Sequence, residues 1–167
     1  MFQISRRVDY AMRVMVELGQ REAGAIVSTR EISRRTAVPK AFLHKITTDL
    51  VKSSLVSTSS GPMGGLALAQ PSSEITVLQI IEAIEGPICI NVCLVRPHEC
   101  PRDMVCPVHG LWGRLQTALV AELQSVTLEH LAAEAKNLKQ HPQRPSYVSY
   151  LFAETNEQAV TMGGIRQ

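Results

Sequence analysis

A chain of 167 residues with 45% apolar and 19% charged side chains has room for one sizeable core, or for a small domain with an appendage. No apolar run approaches the roughly 20 residues of a membrane helix, and the start MFQISRRVDYAM lacks the apolar core and cleavage site of a secretory signal, so the expectation is a cytoplasmic protein with no membrane partner. The net charge of +2 divides into +5 over residues 1–70 (ten Lys and Arg against five Asp and Glu) and −3 over residues 71–167 (seven against ten), a basic first half that suits a polyanion partner or a solvated face.

Val8, Met12, Met15, Val16 and Gly19 recur at helical spacing over residues 5–21 and predict a first helix, with Gly24 as its stop. Ser28, with Glu31 three residues on, has the form of a capping box and opens a second helix from about Thr29 to Thr36. Pro39 suits the first position of a third helix. One face of that helix gathers Phe42, Leu43, Ile46, Leu50 and Val51, and the other shows Lys40, Ala41, His44, Lys45 and Thr48. Two short helices across a tight turn, the second basic on its outward side, fit a helix-turn-helix as well as an ordinary helical hairpin. The order of elements then favours the former. LVSTSSGPMGGLALAQ reads as a β-hairpin with a glycine-rich tip, and a hairpin directly after a recognition helix is the wing of a winged helix. Glycines there let the backbone lie close to a phosphate or enter a minor groove. The candidate DNA contacts are Ser28 and Thr29, then Lys40, Ala41, His44, Lys45 and Thr48, then Ser60, Gly61, Met63 and Gly64 on the wing.

EITVLQIIEAIEGP predicts a fourth helix from near Thr76 that buries Val77, Leu78, Ile80, Ile81 and Ile84 and stops at Gly86-Pro87. Beyond a cysteine-rich segment, an apolar stripe runs down a helix of about four to five turns. Leu111, Trp112, Leu115, Leu119 and Leu123 carry it and suggest a dimerisation helix, the alternative being that it packs only on its own domain. Thr127 is a candidate cap for a short helix through Leu138. The organisation expected is mainly α: a winged helix-turn-helix over 1–86 with a β-hairpin wing, a cysteine-rich loop over 87–109, a long dimerisation helix and a short one over 110–140, and a flexible tail over 141–167.

The loop carries Cys93-x6-Cys100-x5-Cys106-x2-His109, with prolines at 97, 101 and 107 that are expected to prevent regular structure and stiffen the loop. In a reducing compartment such clustering points to metal ligands or redox-active thiols before disulfides. Zinc sites favour two to four residues between paired cysteines, and neither gap matches. An iron–sulfur cluster fits the spacing better, leaving zinc, a thiol switch and inert buried cysteines as alternatives. No Ser/His/Asp set, paired carboxylates or phosphate loop stands out, so an enzyme is not expected.

Across roughly residues 1–138 the chain resembles the IscR/NsrR/RirA family of winged-helix regulators, the Rrf2 family. The matching pieces are ISRRVDYAMRVMVELG, VPKAFLHKITTDLVKSSLV, GPMGGLALAQP, ITVLQIIEAIEGP and the loop ending CPVHGLW. The resemblance implies a homodimeric transcriptional regulator that binds a double-stranded DNA operator and whose 2Fe-2S or 4Fe-4S cluster alters that binding. Cys93, Cys100 and Cys106 match the family's cluster cysteines, although the first gap is six where five is common. For the fourth ligand, His109 falls where 2Fe-2S members place a histidine, and Asp9 falls where 4Fe-4S members use an aspartate of the partner subunit. The plain alternatives are a locally bonded helix-start histidine and a carboxylate solvated beside Arg6 and Arg13. Cys89 is additional, as substitute ligand, resolving thiol or small buried residue. Ser60 stands where wing-reading members carry an arginine, and Met63 replaces a frequent glycine, which weighs against sequence reading by the wing. Two other classes compete: a clusterless or zinc-bound regulator with a thiol switch, and an iron–sulfur electron-transfer or carrier protein, which needs no helix-turn-helix.

Overall fold

The computed structural model describes residues 4–61 and 64–142, so Met63 and the expected tail beyond Pro142 lie outside the described residues. In chain order the elements are α1 (Arg6–Gly19), α2 (Thr29–Thr36), α3 (Lys40–Lys52), β1 (Val56–Ser59), β2 (Gly65–Leu68), α4 (Val77–Glu85), α5 (His109–Ser125) and α6 (Leu128–Gln140). The mainly helical winged-helix expectation is met. One compact unit ends at Lys136, and the last residues of α6 fall in a second that begins at Asn137.

The first unit is organised around α1. Val8, Ala11, Val14, Met15 and Leu18 recur every three or four residues, are buried, and face α2, α3 and α4. Ile32 of α2, Leu43, Ile46 and Leu50 of α3, and Ile80 and Ile84 of α4 complete the same core, with Leu128 joining from α6. Phe42 and Val51, expected on the buried face of α3, are instead exposed. Three faces of a thirteen-residue helix cannot all turn inward, and the i, i+3, i+7 set Leu43–Ile46–Leu50 takes the core. The Tyr10 ring meets Phe42 edge-on, with ring centroids 5.4 Å apart. Likewise only Ile80 and Ile84 of the fourth helix's apolar set are fully buried.

Helix boundaries follow their caps. The Ser28 hydroxyl accepts the Glu31 backbone N–H at 3.2 Å, but the Glu31 carboxylate does not return to Ser28. It accepts from Arg21 at 2.9 Å and faces Arg35 at 4.0 Å, so the expected capping box is only half formed. The complete box is at α4, between Thr76 and Gln79. Pro39 is the N-cap of α3 and not its first residue. α1 ends at Gly19, and Gly24 shapes the following turn at φ +76°.

Glu17 is buried, with its carboxylate 2.7 Å from Arg21 and 2.5 Å from Arg35. This pairing ties α1 to α2 and raises the Arg21 pKa, chiefly through the hydrogen bond with Glu17. The two strands pair antiparallel, with Val56 opposite Leu68 and Ser59 opposite Gly65. Val27 adds a separate rung on the other edge of β2 by exchanging both backbone hydrogen bonds with Leu66 at 2.8 Å, which anchors the hairpin to the start of α2.

Candidate nucleic-acid interface and cysteine loop

The charge of the first half is sorted by pairing. Four of its ten cations are engaged: Arg7 with Asp49 at 2.7 Å, Arg13 with Asp9 at 2.8 Å, and Arg21 and Arg35 with Glu17. Among the described residues the other six, Arg6, Arg30, Arg34, Lys40, Lys45 and Lys52, make no ion pair and are exposed. Three of them lie on α3.

Between α3 and the hairpin lies a cleft of about 690 Å³. Thr29, Lys40, His44, Thr48, Gly61 and Gly64 of the expected contacts line it, together with Thr47, Lys52, Thr58 and Ser59. Ala41 and Lys45 line a second groove on the other side of α3, with Arg7 and Asp49, and share Lys40, His44 and Thr48 with the first. Lys40, His44 and Thr48 thus form a ridge with a groove on each side, held by the buried Leu43–Ile46–Leu50 face behind it. Ser28 accepts the cap bond of α2 while staying exposed, and Ser60 is exposed just past β1. Sequence reasoning stopped at Thr48 and missed Lys52, although Lys40, His44, Thr48 and Lys52 recur at a strict four-residue spacing that places all four on one helix face.

The hairpin tip is built for close approach. Gly61 adopts φ +104°, and a Cβ on Gly64 would lie 2.3 Å from the Ser59 carbonyl oxygen. Neither glycine puts a side chain of its own beside that backbone.

The cysteine loop leaves α4 at Gly86 and returns at α5. Its prolines do not abolish regular structure as expected. Three single turns of 3₁₀ helix form, at Val92–Leu94, Pro97–Glu99 and Asp103–Val105. Cys93 lies in the first, and Cys100 and Cys106 follow directly on the second and third, all three half-buried. Cys89 is exposed, which overturns a buried role for it, and its thiol donates to the Asn91 carbonyl at 3.1 Å. The Gln116 amide of α5 clamps the loop's beginning, accepting from the Ile90 N–H at 2.9 Å and donating to the Ile88 carbonyl. From Asn91 to His109 the loop's backbone hydrogen bonds outside its helices reach only three or four residues along the chain.

His109 is half-buried as the first residue of α5, its backbone N–H donating to the Cys106 carbonyl at 3.4 Å. Asp9 is on α1, engaged by Arg13. Among the described residues no three His, Cys, Asp or Glu side chains converge as a metal site. The donor set nonetheless fits an iron–sulfur cluster chemically: three half-buried thiols and an imidazole, on a loop whose turns are held by local bonds.

Of the residues expected on the dimerisation helix, Leu111 and Leu115 are exposed at 40% and 45%, as is Val108 at 40%. Trp112, Leu119 and Leu123 are half-buried, and the last two line a cavity of about 370 Å³ with Ile4, Val8, Ile81 and Pro87. The stripe therefore divides into an outward row and an inward row. No described helix is long and apolar enough to cross a membrane.

Residues 4–134 match the family model Rrf2, described as an iron-dependent transcriptional regulator. A Haemophilus influenzae protein named as a helix-turn-helix-type transcriptional regulator is 31% identical over 142 residues, 85% of this chain and 93% of its own length. The helix-turn-helix-type transcriptional regulator IscR of Photorhabdus laumondii is 30% identical over 129 residues, 77% of this chain and 78% of its own. Among solved structures, that of CymR, the global cysteine regulator of B. subtilis, superposes with a TM-score of 0.67 at 27% identity, covering 80% of this chain and 98% of that one.

Proposed function

The chain belongs to the Rrf2 family of transcriptional regulators, and on that premise we propose that it is a homodimeric DNA-binding sensor that holds an iron–sulfur cluster in the loop before α5. It is a regulator and not an enzyme, as its relatives are named. The observation that carries the finer reading is the placement of Cys93, Cys100 and Cys106, each at a one-turn helix on a locally bonded loop between the winged helix and α5.

In this reading the three cysteines hold the cluster, and His109, or Asp9 of the second subunit, supplies the fourth position. When bound, such a cluster supplies a centre that responds to redox state, nitric oxide or iron supply. The chain's own part is mechanical. Gln116 fastens the loop's beginning to α5, and His109 makes its end the first residue of α5, so a change in loop shape is passed to that helix. If α5 joins two copies through Val108, Leu111 and Leu115, its tilt sets the distance between two α3 ridges. Adjacent major grooves lie about 34–36 Å apart, and a shift of a few Å costs the second half-site its contacts.

Protein purified without oxygen is expected to be brown, with sulfide-to-iron charge-transfer bands in its visible spectrum. Substituting Cys93, Cys100 or Cys106 with alanine is expected to bleach it, and Cys89→Ala to leave it coloured. A colourless protein after anaerobic reconstitution overturns the cluster. That outcome would favour the second reading, a thiol switch, for which the lack of three converged ligands among the described residues speaks.

A further inference from the structure

The hairpin is electrically bare: between Lys52 and Arg96 the sequence contains no lysine or arginine. A wing that follows a DNA backbone needs a cation beside it, and the structure puts one there from outside. Lys52 ends α3 and lines the cleft together with Thr58 of β1, whose side chain shares the strand face of the buried Val56. Its ammonium makes no ion pair among the described residues, and no carboxylate lines the cleft.

The hydroxyls of the cleft separate in the same way. Thr47 donates to the Leu43 carbonyl at 2.7 Å and Thr48 to the His44 carbonyl at 3.0 Å, so both protons are spent on the helix. Thr29, Thr58 and Ser59 make no side-chain hydrogen bond among the described residues. Unspent donors therefore line the cleft from both ends of α3, Lys40 at its start and Lys52 at its end, together with Thr29 and Thr58.

We propose that Lys52 and Thr58 form a phosphate seat that anchors the wing to the DNA backbone, with Lys40 and Thr29 as its counterpart at the start of α3. The proposal rests on the DNA-binding reading and assigns its wing-side anchor. An ammonium with a hydroxyl donor suits a phosphodiester oxygen, and Gly61 and Gly64 add no side chain of their own to the cleft.

The test uses the full chain and a labelled duplex of arbitrary sequence, about 30 base pairs or three helical turns long, titrated between about 50 and 200 mM salt. Losing one phosphate contact lowers the steepness of log K against log salt by about 0.9 and the affinity at 0.1 M salt by about eightfold. Lys52→Ala is expected to show both changes, and Lys52→Arg to restore the wild-type slope. Thr58→Val is expected to weaken binding by a constant factor at every salt concentration, leaving the slope alone. A wild-type slope in Lys52→Ala, at wild-type circular dichroism, overturns the seat while leaving DNA binding intact. A wild-type chain that does not bind the duplex at low salt overturns the DNA-binding reading and the seat together.

Discussion

At the scale of single residues, the helix-turn-helix depends on a backbone conformation its own side chain opposes. Ala37 joins α2 to α3 at φ 56° and ψ 24°, left-handed, where Cβ crowds the following carbonyl at a cost of about 1–2 kcal/mol. The surroundings hold it there: the Ser33 hydroxyl donates to the Val38 carbonyl at 2.8 Å, and the Val38 side chain is buried one residue on. Ala37 itself is exposed, so its methyl has little packing to lose. Ala37→Gly removes the steric cost and adds roughly 0.5–1 kcal/mol of unfolded-state entropy. The variant is expected to be more stable by about 0.5–1 kcal/mol, seen as a higher urea midpoint at unchanged m-value. A lower midpoint would mean that the turn is not strained.

At the scale of elements, the wing's position depends on Gly65 more than on the glycines of its tip. A Cβ on Gly65 would lie 2.3 Å from the Val27 carbonyl oxygen, which accepts the Leu66 N–H at 2.8 Å. Gly65→Ala must push Val27 away and break the rung that fixes the hairpin to the start of α2. A loss of about 2–3 kcal/mol in chemical denaturation is expected, the upper part of the usual range for one substitution. Stability equal to the wild type would show that the rung is dispensable. Gly65 also shows where sequence reading stops. Periodicity and turn chemistry located α1, α2, α3, the hairpin and α4, because each has a strong apolar face or a chemically marked end such as Ser28, Thr76 or the Gly61–Gly65 tip. The pairing of Val27 with Leu66 joins residues far apart in the chain, and nothing local marks it. The same holds for Glu17, whose burial depends on arginines four and eighteen residues away. In the site, the outward side chains of α3 were legible, since helix geometry decides them. Lys52 was equally legible by its spacing, and its sharing a cleft with Thr58 was not.

At the scale of the whole molecule, the question is what covers α5. This seventeen-residue helix has no fully buried side chain, which is unusual for an amphipathic helix lying on a core. Its inward row of Trp112, Gln116, Leu119 and Leu123 makes half-buried contacts, and its outward row of Val108, Leu111, Leu115 and Ala118 follows the alternating three- and four-residue spacing of a coiled-coil seam. Two copies joined along the outward row would bury it and carry two α3 ridges on one particle. Leu111→Glu with Leu115→Glu is therefore expected to convert a dimer to a monomer in sedimentation, with helical circular dichroism retained because neither side chain belongs to the core. The monomer would also lose the second half-site's help, a penalty of about 10²–10⁴ in affinity for a two-site operator. Leu119→Ala is expected to act differently, lowering stability while leaving the dimer in place, because Leu119 faces the first unit's own cavity. A double variant that sediments as a dimer would move the interface off the outward row. A wild-type monomer would leave α5 uncovered and remove the lever by which the loop is proposed to act on DNA.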